Sequence, residues 1–510
     1  MTRFRHVRQF LSGSVDTSGK PPYLLSQRSS TCLIVATVNL AVFTDIFFYG
    51  LIDPVLPFAL STHLSVPQNQ VQYWQSILLA AYSAALFIGS PIAGVYADHT
   101  SSRRWPLLLG LVALAGATLL LAFGHSLYLF VLGRVLQGLS AAVVWSVGCA
   151  LLVDTMGTAV GVAMGYVNIS LSLGLLLAPV IGGVVYNKVG YLAVYYVAFG
   201  FVGLDIVLRL VMIEKKVARQ WTGEPEAENP QTGIGTSTPM EAPEDKPPGG
   251  STDTPKTEDA EADNCENHES VETNRGTQGA RPFVTLLKSK RLLTALYGIF
   301  VQSGILMGFD AVLALFVQGL FGWNSTAVAI LFLAFFIPGL AAPLVGWVSD
   351  KCGAKWPSFV SFAVTVPILV TLRFVTENTI QHKALLASLL LLTGLTLSSA
   401  LTTLMAEISY VIEAREVKSP GIFGKNGVYG LAYALFNMAY ALGGIIGPIW
   451  AGYIAKSVGW GTLVWTFGLW SASAAVMVFF WGANKTQTPV ADEEHTESAS
   501  RAVAETTATP

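Results

Sequence analysis

Apolar residues in this chain come in long, nearly unbroken runs instead of alternating with polar ones. Runs long enough to cross a hydrocarbon layer as helix fall at about 32–53, 72–97, 105–124, 128–152, 162–186 and 192–213. A polar stretch follows, and six more runs lie at about 292–318, 325–349, 357–375, 384–408, 427–454 and 460–482. The pattern predicts twelve membrane-spanning helices in two sets of six. One run carries an unusual stripe: Gly174, Ala178 and Gly182 fall four apart, a smooth helix face on which a neighbouring backbone can lie close. Pro179 beside it removes a backbone hydrogen bond and invites a bend. A variant returns as Gly443, Gly447, Pro448 and Ala451, so one small-residue helix occurs once in each half.

Composition agrees with this reading. Of 510 residues, 52% are hydrophobic and only 12% charged, about half the charged share of a soluble protein. Mean hydropathy is +0.54. The four cysteines (Cys32, Cys149, Cys265 and Cys352) have neither metal-site spacing nor a disulfide framework. No secretory leader precedes the first run, which is read as a retained span. The expected domains are an N-terminal tail (1–30), a six-helix bundle (31–213), a linker (214–285), a second bundle (286–483) and a tail (484–510). The linker is rich in Pro, Gly, Glu, Asp and Thr and nearly free of aromatics, so it cannot bury enough apolar surface to order itself.

Lys and Arg set the orientation. The termini and linker share one side with Arg103, Arg104, Lys215, Lys216, Lys288, Lys290, Arg291, Lys351, Lys355, Arg415 and Lys418. Opposite loops hold few positive charges, so both termini are expected in the cytosol. The sequon at Asn324 then faces outward as a glycosylation site. The plasma membrane and a vacuolar or vesicular membrane present the same cytosolic face, so either fits.

The duplication extends to a second pair of segments. Asp98 ends the second run and Arg103 follows five residues later; Asp350 ends the eighth and Lys355 follows at the same spacing. Two parallel halves around a central site form a transporter architecture. The chain resembles the major facilitator superfamily, of the twelve-span drug:proton antiporter type. The stretch from Gly94 to Arg104 resembles that family's loop signature between helices 2 and 3, with His99 and Ser101 departing from the usual Arg and Gly. Arg134, Gln137 and Gly138 resemble the fourth-helix signature. Gly165, Gly174, Pro179, Gly182 and Gly183 resemble the fifth-helix antiporter signature, with Ala178 at a position usually Gly.

Helix 1 is similar to that of vesicular amine transporters and fungal multidrug exporters, with Asp45 at mid-helix and Pro54 and Pro57 after it. Asp310 matches an acid of helix 7 in those carriers. Helix 11 matches from Val428 on, but Asn437 replaces their Asp, and helix 10 has Ser398, Ser399, Thr402 and Thr403 where they have an acid. The resemblance implies an all-α membrane fold of two pseudo-symmetric six-helix bundles.

A charge near mid-bilayer costs several kcal/mol unless it is paired or faces water, which marks such residues as functional. Asp45 is expected to bind a proton or cation at the cavity. Arg134 either stabilises it or holds a network around Gln137. Asp310 is either a second protonatable site or the rim of an outer gate. Asp98, Arg103, Asp350 and Lys355 are expected at a cytosolic gate. Asp205 and Arg209 have the spacing of a helical ion pair, with Arg209 snorkelling to the membrane edge. Glu407 is expected at a gate or surface.

An aromatic cavity drawing on Trp145, Tyr429, Tyr433 and Phe436 suits organic cations or bulky lipophilic compounds better than sugars. The chain has no phosphate-binding loop, so the energy is expected from an ion gradient. His99, His125 and His382 lie in loops, and neither a metal nor a cofactor is expected. The expected partners are a small-molecule substrate, protons and the lipid bilayer, not nucleic acid, and the chain is expected to act as a monomer. The resulting expectation is proton-coupled efflux by alternating access. A proton-coupled nutrient importer and a non-transporting membrane receptor are the alternatives.

Overall fold

The structure is a computed structural model that describes residues 22–52, 60, 64–100, 102–222, 283, 286–323, 325–419, 422–423 and 427–482. Eleven apolar helical stretches among these residues are long enough to cross a membrane. One of them, Leu127–Tyr186, holds two helices broken by the 3-10 turn Gly157–Ala159, so the spans number twelve.

The first six are α1 (Thr31–Ile52), α2 (Gln68–His99), α3 (Arg104–Phe123), α4 (Leu127–Met156), α5 (Val160–Val189) and α6 (Tyr191–Val211). The second six begin with α7 (Lys290–Phe321). Next comes α8, built from Ser325–Phe336 and Ala342–Cys352 around the 3-10 turn Ile337–Ala341. Then follow α9 (Lys355–Thr371), α10 (Ile380–Lys418), α11 (Tyr429–Ser457) and α12 (Trp460–Trp481). Local chemistry places several ends. Ser126, Ser289 and Thr379 cap α4, α7 and α10 through their hydroxyls, and Gly322 ends α7 in the left-handed conformation.

Each set packs as a bundle, and the two repeat one another's contacts. The small-residue stripe of α5 lies on α1: a Cβ on Gly174 would fall 2.7 Å from Ile46 Cγ2, and one on Gly182 would fall 2.7 Å from the Leu51 carbonyl. In the second bundle Gly443 and Gly447 of α11 meet Ser303 and Gly304 of α7 in the same way. The bundles join through two matching crossings. Gly94 of α2 lies against Gly430 of α11, and Gly161 and Gly165 of α5 lie against Gly346 and Pro343 of α8. Both crossings are on the side where the chain leaves α6 and enters α7, called here the linker side.

The structure departs from the expectations in three places, none of them at Pro179. Helix α5 runs from Val160 to Val189 with Pro179 inside it, as one element and not as two separate pieces. Arg209 does not snorkel: it is 1% exposed, and its Nε donates to Asp205 Oδ1 at 3.2 Å inside the first bundle. The ordered chain runs on past α6 into a short helix, Lys215–Thr222. There Glu214 accepts from Ser102 Oγ and the Arg104 amide, and Lys215 Nζ donates to the Thr155 carbonyl. Arg28, before α1, donates to the Val211 carbonyl, which ties the entry of the first bundle to its exit. The third departure is the 3-10 break in α8, at Pro338 and Gly339. Asn324, Pro54, Pro57 and the rest of the expected linker and tails lie outside the described residues.

The α5–α8 crossing gives a direct test. A Cβ at Gly165 would run into the Pro343 backbone, which cannot swing aside. Gly165→Ala is expected to destabilise the protein by about 1–3 kcal/mol through overpacking. Gly200→Ala, where nothing lies within 4 Å, is expected to be neutral or stabilising, since Ala is the better helix former. Thermal unfolding of the purified chain compares the two.

Candidate functional site

A cavity of about 40 Å³ lies between α1, α2, α4, α7 and α11. Its wall is aromatic. Trp145 of α4 lies 6.0 Å from Phe436 and 6.4 Å from Tyr440 of α11, ring centre to ring centre. Tyr49 of α1 packs on Tyr82 of α2 at 4.9 Å. The α11 contribution follows from helical spacing: Phe436, Asn437 and Tyr440 are three and four apart and share a face. Met307 and Ser83 complete the sides.

Asp45 lies behind this wall, not in it. Its side chain is fully buried, and Oδ2 accepts from Trp145 Nε1 at 3.0 Å. The other oxygen, Oδ1, has no hydrogen-bond partner. Trp145 is thus both the cavity wall and the cover of the carboxylate. Arg134 is also fully buried on α4; its Nη1 donates to Gln137 Oε1 at 3.2 Å, and its Cζ is 5.9 Å from the Tyr49 ring centre. The Tyr82 hydroxyl is within electrostatic reach of both Asp45 and Arg134, so the two charges bear on one tyrosine. Asn437 lines the cavity and donates from Nδ2 to Ser146 Oγ of α4 at 3.0 Å, bridging the bundles. Asp310 is exposed on α7 and bears electrostatically on Tyr440 of the cavity wall.

Beneath the cavity, on the linker side, two carboxylates cross between the bundles. Asp98, at the end of α2, accepts from the amides of Gly430 and Leu431 in the first turn of α11, both at 2.8 Å. Asp350, at the end of the second α8 piece, accepts from Gly161 and Val162 in the first turn of α5 at 2.7 and 3.0 Å. A helix start offers such orphan N–H groups and the positive end of its dipole, so the two bonds are equivalent by fold symmetry.

The bases near them are not equivalent. Arg103 lies 3.8 Å from Asp98 and bonds Asp154 at 2.7 Å. Asp350 receives the Tyr410 hydroxyl at 2.6 Å, whereas Lys355 sits 5.8 Å from the Phe479 ring centre. Glu407 is held by Arg291 of α7 inside the second bundle. Tyr433 is buried below the cavity and bonds Ser409 and the Met405 carbonyl. Gly165, Gly174 and Gly182 are absent from the lining of this cavity and act through close helix packing. Among the described residues no cluster of His, Cys, Asp and Glu has the makings of a metal site.

A second, smaller cavity lies between α5 and helices α7, α8 and α10. Amide and hydroxyl groups line part of it: Asn168, Ser172, Gln302 and Ser398. Gln302 is uncharged and belongs to no motif, so no sequence signal marks it. The hydroxyls on helix 10 were visible, but not that Asn168 of α5 donates to Ser398 and Thr402 across the bundles.

The model of the Major Facilitator Superfamily matches residues 38–419 and 329–508. An uncharacterized MFS-type transporter of Schizosaccharomyces pombe is 33% identical over 457 residues, 89% of this chain and 96% of that protein. The class B tetracycline resistance protein of Escherichia coli is 26% identical over 80% of this chain and 88% of its own length. The vesicular acetylcholine transporter of Torpedo torpedo is 25% identical over 37% of this chain and 42% of its own. In fold, the chain superposes on the crystal structure of the human organic anion transporter MFSD10 (TETRAN) with a TM-score of 0.60. That match has 15% sequence identity and covers 88% of this chain and 99% of the other.

Proposed function

This chain belongs to the Major Facilitator Superfamily and is a membrane transporter; within that family we propose that it is a proton-coupled antiporter exporting organic cations or bulky lipophilic compounds. The observation that carries this reading is the placement of Asp45. A buried carboxylate with one oxygen on Trp145 and the other unpartnered, directly behind an aromatic cavity, can serve a proton or a cationic cargo but not both. Aromatic faces attract organic cations, and the wall offers five rings, Tyr49, Tyr82, Trp145, Phe436 and Tyr440.

In the proposed cycle the linker side faces the cytosol, as the excess of Lys and Arg there favours. The structure is then the state closed to the cytosol, with Asp98 and Asp350 as the gate and Asp310 at the outer mouth. A proton entering from outside takes Asp45, cargo leaves, and the bundles rock to open the cytosolic side. Each proton brings about 2.3 kcal/mol per 100 mV, with the pH difference in addition. A plasma membrane and an acidic internal organelle both provide such a gradient.

Inverted membrane vesicles holding the full-length chain test this with a fluorescent lipophilic cation. Imposing an acidic interior is expected to drive uptake that a protonophore abolishes. Uptake that ignores the gradient, and equals that of vesicles without the protein, would sink the reading. A second reading on the same fold is import of a metabolite together with the proton. The same vesicles separate the two, because an importer would move its substrate out of them with the proton.

A further inference from the structure

We propose that the smaller cavity is a binding site for a single water molecule that joins the two bundles through Gln302, Ser172 and Ser398. The cavity measures about 20 Å³. One water needs roughly 10–15 Å³ measured this way, together with two to four polar partners, so the space fits one. Gln302 of α7 is 2% exposed, and its Oε1 has no hydrogen-bond partner although it lines the cavity. A buried acceptor in that condition is costly unless a donor reaches it.

The partners come from both sides of the seam. Ser172 belongs to α5 in the first bundle, while Gln302 and Ser398 belong to α7 and α10 in the second. Ser172 and Ser398 converge on Gly339, where the 3-10 turn of α8 brings the backbone so close that a Cβ would strike Ser172 Oγ. The break in α8 therefore makes room for the pocket and fixes its floor. The cavity has no carboxylate in its lining, and the Asn168 amide nitrogen already occupies oxygens of Ser398 and Thr402. A metal cation would meet no negative charge there. A neutral ligand that both donates and accepts fits the set, and at this size that is water.

A water bound between bundles is lost when they part, so this site is a hydrated pin of the conformation seen here. It depends neither on the direction of transport nor on what drives it.

Hydroxyl-radical footprinting by synchrotron radiolysis tests the site in the purified full-length protein, because bound water is converted to radical in place. Phe335 lines the cavity and is 2% exposed; Phe362 is buried at 0% away from it. Phe335 is expected to be oxidised and Phe362 to stay unmodified. Gln302→Leu is expected to reduce Phe335 labelling several-fold and to lower the melting temperature, because it removes the pin. An unlabelled Phe335 in the wild-type protein overturns the proposal, and so does a rise in melting temperature for Gln302→Leu, since removing a dry, orphaned amide stabilises. Labelling that appears in sodium but not in choline buffer also overturns it. If Gln302→Leu fails to fold, Ser172→Ala gives the same comparison, and the wild-type labelling decides alone.

Discussion

Asp45→Asn is expected to leave a folded protein that no longer accumulates cargo against a gradient. The substitution is nearly isosteric, and the carboxamide oxygen still accepts from Trp145 Nε1, which holds the native carboxylate at 3.0 Å. The amide nitrogen would take the place of Oδ1, the oxygen without a partner in the native protein. Packing is therefore kept, and melting temperature is expected to change little. Reversible protonation is lost, because a carboxamide does not bind a proton at physiological pH. In vesicles carrying a gradient of one pH unit, the native antiporter is expected to accumulate cargo about tenfold per coupled proton, since each unit is worth about 1.4 kcal/mol. The variant, neutral at this position like the protonated carboxyl, is expected to bind a cationic cargo weakly and to show no accumulation. Retained pH-driven accumulation in a folded Asp45→Asn protein would remove this residue from the coupling step.

The fold was legible in the sequence because spanning helices need only length and hydrophobicity, and both are written locally. The twelve apolar runs match helices whose ends differ by a few residues, except where α10 continues to Lys418 well past the expected end of its run. The duplication was legible for a related reason: close backbone approach demands small residues at fixed spacing, as at Gly174, Gly182, Gly443 and Gly447.

The site was legible only in part. An acid within an apolar run stands out, so Asp45 and Asp310 are conspicuous. Nothing local says that Asp45 sits behind Trp145, one hundred residues later, or that Asp310 is exposed. Uncharged polar residues carry still less signal. Gln302 and Asn168 look like ordinary helix residues until α5, α7 and α10 are brought together. Arg209 was misplaced because a base near a helix end has two ways to avoid lipid. It can reach water or turn inward to a partner, and the second prevailed at Asp205. Lys355 shows the limit of repeat arguments: its spacing from Asp350 copies that of Arg103 from Asp98, yet its ammonium lies by the Phe479 ring.

Replacing Asp98 and Asp350 together by Asn is expected to open the linker side. Each carboxylate accepts two backbone N–H groups from the opposite bundle. An Asn keeps one accepting oxygen and turns its amino group toward the other N–H, so one charge-assisted bond becomes a clash of donors. Hydrogen bonds to charged groups contribute about 1.5–3 kcal/mol each, with a further contribution from the helix dipole. A loss of about 2 kcal/mol per site shifts the ratio of closed to open by roughly 30-fold. The two crossings belong to one rigid-body motion, so their contributions are expected to add in that ratio, to about a thousandfold. Neither replacement strands a buried charge: Arg103 keeps Asp154, and Tyr410 can still donate to the oxygen of Asn. Spin labels at Tyr96 on α2 and Val417 on α10, both exposed, report the motion by pulsed electron resonance once the native cysteines are replaced. The single variants are expected to add a longer-distance population and the double variant to make it dominant, with transport falling in the same order. If the double variant folds and keeps the distance distribution of the parent, these carboxylates do not hold the closed state, and close glycine packing at Gly94–Gly430 and Gly161–Gly346 holds it instead.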